Sequence, residues 1–138
     1  MTMDEVMTIL NKHSGLEGIC GKSDSRDVED GIAAGDEKCR LAQDMYTRRV
    51  ANYIAQYNNL LNGADVIVLT AGLGENSKQT RIDILDKVSS LGIKIDKELN
   101  DFRGEERCIT TNDSKIPVFV VPTNEELMIA RDTYNLVK

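Results

Sequence analysis

The chain has 138 residues, 41% of them hydrophobic, and carries 23 acidic against 17 basic side chains for a formal net charge of −6. That length permits one domain with a proper core but not two full lobes. No apolar run reaches membrane-spanning length, the acidic opening MTMDEVMTIL lacks the basic start of a signal peptide, and the negative balance argues against non-specific nucleic-acid binding. We therefore expect a cytoplasmic protein whose partners include neither membrane nor nucleic acid. Cys20, Cys39 and Cys108 are scattered and lack paired metal spacing, which points to ordinary reduced thiols.

In chain order, DEVMTILNK is a short helix candidate, and the glycine-punctuated HSGLEGICGKSDSRDVEDG is expected to be mostly loop with a helical turn. From Asp36 the apolar positions Ala42, Met45, Val50, Tyr53, Ile54, Tyr57 and Leu61 recur at helical spacing, with Gly63 as a stop. DVIVLT is continuous and β-branched, as for a strand covered on both faces. A glycine loop follows. Ile84, Leu85, Val88 and Leu91 then mark a second helix that Gly92 ends. RCITT and IPVFVV are expected to pair across TNDSK, the latter as a buried strand. Pro122 stops that strand, and Thr123 with Glu126 has capping-box spacing before the last helix, NEELMIARDTYNLVK.

Two strands thus each hand over to a helix through a polar junction. In open α/β sheets ligands collect at the carboxyl ends of such strands. In LTAGLGENSKQTR, Gly72 and Gly74 would let the backbone pass close to a ligand, and Asn76 or Ser77 would cap the next helix. Spacing alone leaves a merely well-capped turn equally open. GKS at Gly21 to Ser23 is not the tail of a phosphate-binding P-loop, because Leu16 stands where that motif needs glycine.

The motifs NKHSGLEGI, SDSRDVED, LTAGLGENS, IKIDKELNDFRGEE and VPTNEELMIARDTY follow one another in the order found in acetate kinases. The chain resembles the carboxyl-terminal part of that family, within the superfamily of acetate and sugar kinases, chaperones and actin. The resemblance implies an α/β fold of the ribonuclease H-like kind, in which residues 1–138 form a carboxyl-terminal nucleotide-binding lobe with a central mixed sheet and flanking helices. DVIVLT and PVFVV would be neighbouring central strands. It also implies that an amino-terminal lobe is absent from these residues.

Position by position, the resemblance assigns Gly72, Leu73, Gly74, Glu75 and Asn76 to an adenosine-binding loop. It assigns Asp24, Ser25 and Arg26 to a second nucleotide-contacting segment, and Glu125 to magnesium. Glu125 suits that role if Glu126 is engaged in the capping box, since one carboxylate with phosphate oxygens and waters suffices for this ion. Cys20 departs from the family, which usually has a small polar residue there, and the path into SDSRD is one residue shorter. His13 stands where lysine is common and is read as a surface variant. The implied reaction is reversible phosphoryl transfer between ATP and acetate, giving acetyl phosphate and ADP. No catalytic residue is expected within these residues, so the isolated chain is expected to be inactive. Propionate kinase is the runner-up, butyrate kinase is disfavoured by GENS, and a non-catalytic nucleotide-binding or dimer-forming module is the competing class. A homodimer is expected from the family and from the wide spread of apolar positions on the helix from Asp36 to Leu61.

Overall fold

The computed structural model describes all of residues 1–138, which divide into two compact units, 1–57 and 58–138. In the first unit, α1 (Met3–Lys12) opens on a capping box in which Thr2 and Glu5 each accept the other's backbone amide. The stretch expected to be mostly loop holds two helices instead, α2 (Gly15–Cys20) and α3 (Ser25–Ala33). Two of its glycines mark ends rather than interruptions: Gly15 and Gly21 bound α2 at φ of 61° and 69°, where a side chain would be strained.

The long helix α4 (Glu37–Leu60) starts at Asp36, whose carboxylate accepts the Lys38 and Cys39 amides at 2.9 and 3.3 Å. Its buried stripe is Cys39, Ala42, Gln43, Thr47 and Ala51. These are small or polar residues that permit close helix approach. At Gly31 of α3 an added Cβ would lie 2.5 Å from Cys39 Sγ, so this crossing admits nothing larger than glycine without movement. Met45, Tyr53 and Tyr57 face outward at about half exposure. Gly63, at φ 112°, ends the helix by donating its amide to Asn58 O.

The second unit is built on three short strands, β1 (Ile67–Leu69), β2 (Arg107–Cys108) and β3 (Val118–Val120). β3 is central in the order β1-β3-β2, running parallel to β1 with Ile67 opposite Val118, and antiparallel to β2 with Cys108 opposite Phe119. The sheet is therefore mixed, with DVIVLT and PVFVV as neighbours and RCITT paired to IPVFVV, as expected. One expectation fails. β1 is an edge strand covered on one face: Leu69 is buried while Val66 and Val68, on the opposite face, are 46% and 51% exposed.

α5 (Ala71–Asn76) and α6 (Lys78–Asp86) follow β1 directly, and a 3-10 turn over Ser89–Leu91 ends at Gly92. Ser77 caps α6 by accepting the Thr80 amide at 3.1 Å. Leu69, Ile84, Leu85, Val88, Ile109, Val118 and Val120 form the core. Each such side chain stabilises by ~1.5–3 kcal/mol relative to exposure, so β3 and α6 hold the unit. The last helix, α7 (Glu125–Val137), is exposed along its whole length and adds no core residue.

Candidate functional site

The stretch expected to be a pliable glycine loop is one and a half turns of helix, α5. It leaves β1 through Ala71, which holds φ 62° without being glycine. That conformation costs ~1–2 kcal/mol, and the strain is held in place because the Ala71 amide donates to Thr123 Oγ1 at 3.2 Å. The two glycines serve different ends. A Cβ on Gly72 would meet nothing within 4 Å, so that position is open to an approaching molecule. A Cβ on Gly74 would stand 3.3 Å from the Leu69 carbonyl carbon, so Gly74 lets α5 fold back on the end of β1.

Thr123 does not cap α7. The helix starts at Asn124 with no side-chain cap, and the expected box with Glu126 is absent. Thr123 is instead drawn to Glu75, 48 residues away in sequence. The Glu75 carboxylate accepts the Thr123 amide at 2.7 Å and the Thr123 hydroxyl at 2.8 Å, while Thr70 Oγ1 lies 2.9 Å from Thr123 Oγ1. These donors, the Thr123 amide foremost, hold the Glu75 carboxyl below the usual glutamate range. Glu75 thus ties the segment after β3 to the segment after β1.

Arg81 supports the same segment from below. It is fully buried and donates to Asn100 Oδ1 at 2.6 Å, Asn100 O at 2.8 Å, and the Gly74 and Glu75 carbonyls at 3.0 Å each. Its guanidinium also stacks 5.0 Å from the Phe102 ring, with Arg107 at 4.6 Å from that ring. Burial lowers the Arg81 pKa from its ordinary value, and the acceptors around it are neutral. The last carbonyls of α5, left over by a helix end, are therefore satisfied by a buried cation. Asn76 donates to Gly72 O and accepts from Arg103 Nε, both at 2.9 Å. Leu73 is half-buried, its carbonyl accepting the Ser77 amide at 3.1 Å.

In the first unit, Asp24 caps α3 by accepting the Arg26 amide at 2.8 Å. Its carboxylate is also gripped by the Arg26 guanidinium at 3.1 and 2.7 Å. The Arg26 side chain thereby holds the Asp24 pKa down to about 2. Ser25 opens α3 half-buried, and Lys22 Nζ braces the turn by donating to Asp27 O at 3.0 Å. Cys39 is fully buried, and burial with the Asp36 carboxylate beside it pushes its thiol up to about 11.

Glu125 stands in the exposed first turn of α7. No three His, Cys, Asp or Glu side chains gather as a closed metal cage. One accessible carboxylate fits a hard cation that takes its other ligands from phosphate and water. Sequence reasoning named Asp24 together with its partner Arg26, and named Glu75 and Asn76, but it assigned no part in the site to Thr123, Thr70, Arg81 and Arg103, which hold the Glu75–Asn76 end of α5. Only the polar ends of two neighbouring parallel strands hinted at the threonines.

A mixed sheet with flanking helices and a short glycine-bearing helix at a strand's carboxyl end make this an α/β domain, and its likeness to solved acetate kinases assigns it to the acetate and sugar kinase superfamily. The model of the acetokinase family matches residues 1–131, and the chain belongs to that family. It is 54% identical to the acetate kinase of Fervidobacterium nodosum, covering 100% of this chain and 35% of that protein. It is 49% identical to that of Clostridioides difficile, covering 98% and 34%. Among solved structures it matches Porphyromonas gingivalis acetate kinase at a TM-score of 0.89 and 39% identity, over 100% of this chain and 35% of that one. A propionate kinase from Francisella tularensis matches at 0.86 and 40%, over 94% and 33%. The chain spans about a third of the length of the curated relatives it matches.

Proposed function

We propose that residues 1–138 act as the carboxyl-terminal nucleotide-binding domain of an acetate kinase, which moves a phosphoryl group reversibly between ATP and acetate. The observation that carries this reading is the end-to-end match to acetate kinases combined with an open Gly72 beside a strand's carboxyl end. Gly72, Leu73, Gly74 and Asn76 are proposed to take the adenosine, with Asp24, Ser25 and Arg26 as a second contact segment. Gly72 supports this because nothing fills the space a Cβ would take. Arg26 supports it because its side chain is 82% exposed and already aligned by Asp24. Glu75 belongs to the same loop, although its carboxylate is engaged by Thr123.

Glu125 is proposed to hold magnesium, which would neutralise phosphate charge during transfer. The role of the chain's own residues is to position the donor: α5 fixes the nucleotide, and the first turn of α7 carries the metal-side carboxylate. The acyl pocket and the groups that stabilise the transferring phosphoryl are assigned to the further length of the relatives. Propionate as acceptor is the second reading, favoured by the 40% identity with the Francisella propionate kinase. A homodimer is also proposed. It is supported by the outward-facing Met45, Tyr53 and Tyr57 on α4, whose two tyrosine rings stack at 6.3 Å. A cytoplasmic location is in keeping with the absence of any helix long and apolar enough to cross a membrane.

The test is acetyl phosphate formation from ATP, magnesium and acetate. The 138-residue chain alone is expected to form none, because positioning of both substrates accounts for roughly 7–11 kcal/mol of barrier lowering. Adding the amino-terminal portion of a related acetate kinase is expected to restore turnover, and Glu125→Ala to abolish it. Restored turnover that survives Glu125→Ala would refute the metal assignment.

A further inference from the structure

α7 has no side-chain cap and no buried residue. Something else must decide where its first turn, and with it Glu125, begins. The chain enters α7 through Thr123, whose backbone amide and hydroxyl both donate to one oxygen of Glu75, at 2.7 and 2.8 Å. The Thr123 hydroxyl oxygen is in turn the acceptor for the Ala71 amide at 3.2 Å and lies 2.9 Å from Thr70 Oγ1. The clasp thus binds both ends of α5 to the residue two before Glu125. The clasp converges on a single oxygen, Oε1, of Glu75.

We infer that Glu75 is a positioning residue: it holds Thr123, and so sets Glu125 relative to the α5 segment that is proposed to take the nucleotide. This rests on the reading of Glu125 as the magnesium-side carboxylate, and it changes the part assigned to Glu75 from nucleotide contact to coupling of nucleotide and metal sides. A carboxylate suits the task because two donors converge on a single oxygen, and charge-assisted bonds of this length are about twice as strong as neutral ones. The clasp would also explain why Ala71 tolerates a left-handed backbone: its amide is turned towards Thr123 by that conformation.

The test titrates ADP into the full chain with and without magnesium, and follows amide hydrogen exchange at Thr123 alongside. Glu75→Ala is expected to leave metal-free ADP affinity within about twofold, but to cut the strengthening by magnesium roughly tenfold, the scale of a lost hydrogen bond to a charged group. Thr123→Val, which keeps the fold's apolar volume, is expected to act in the same direction. Glu75→Gln and Thr123→Ser, which retain an acceptor and a donor, are expected to recover most of the effect. Equal weakening of metal-free and magnesium-bound ADP in Glu75→Ala would overturn the inference and return Glu75 to the nucleotide. Magnesium that strengthens binding to neither parent nor variant would count against the Glu125 reading alone. Hydrogen exchange then decides the clasp: faster exchange at Thr123 in Glu75→Ala, with Val118 and Ile109 unchanged, supports it, and unchanged exchange at Thr123 contradicts it.

Discussion

Arg81 and Asn100 form a closed pair: the guanidinium donates to both the side-chain and the backbone oxygen of Asn100, at 2.6 and 2.8 Å, with both residues out of solvent. The Asn100 side-chain amide in turn donates a hydrogen bond to Lys78 O at 3.1 Å, which fixes the start of α6. The same guanidinium holds the Gly74 and Glu75 carbonyls. Removing it would leave several buried acceptors without partners, each at ~1–3 kcal/mol. Arg81→Met is therefore expected to lower unfolding free energy by at least ~3 kcal/mol in urea. Arg81→Lys is expected to fall between, because an ammonium cannot reproduce the planar fork. A melt within error of the parent would contradict this role.

At the crossing of α3 and α4, Gly31→Ala would drive a Cβ to 2.5 Å from Cys39 Sγ and 3.2 Å from Lys22 Nζ. Overpacking of this kind costs ~1–3 kcal/mol. The double variant Gly31→Ala, Cys39→Ala removes the sulfur and is expected to be less destabilised than the sum of the single changes. Additive losses in a double-mutant cycle would show that the contact is not the cause.

Much of the fold was legible because its signals are local. The span of α4, the stop at Gly63, the cap at Ser77 and the pairing of RCITT with IPVFVV follow from neighbours in the chain. Where the reading failed, a distant residue had won. Thr123 has the spacing of a capping box, but Glu75 reaches it first across 48 positions. Arg81 carries no local signal of its role, and it is buried because Asn100 and the end of α5, distant in the chain, supply carbonyls. DVIVLT has the composition of a doubly covered strand, yet it lies at the sheet's edge and the face carrying Val66 and Val68 is exposed. Gly15 and Gly21 punctuate a stretch that reads as loop, although a left-handed glycine bounds a helix equally well.

The Asp24 carboxyl is expected to titrate near 2 in the folded chain, against an ordinary value of 3.8, through its bonds to Arg26. With the folded value depressed, the pair's contribution is complete above the ordinary value and is lost as pH falls from there towards the folded one. Arg26→Ala is expected to move the titration back up towards 3.8, read by NMR of the Asp24 side chain. An unmoved midpoint would mean that Arg26 is not the cause.

Gly72 and Gly74 separate ligand approach from packing. Gly72→Val faces open space and is expected to leave the melting temperature near the parent's while weakening ADP binding by tenfold or more. Gly74→Val meets the end of β1 at Leu69 and is expected to destabilise the unit as well, so it is the poorer probe of binding. Calorimetry with a thermal melt distinguishes them. Full ADP affinity in Gly72→Val would remove that residue from the site.

The most direct measurement is a map of backbone amide shifts as ADP is titrated into the isotope-labelled 138-residue chain. The account expects saturable changes concentrated at Gly72 to Asn76 and at Asp24 to Arg26, with α1 and the distal turns of α7 unmoved. Saturation with no shift in either segment, or shifts confined to other surfaces, would contradict the assignment of this chain to the nucleotide side of an acetate kinase.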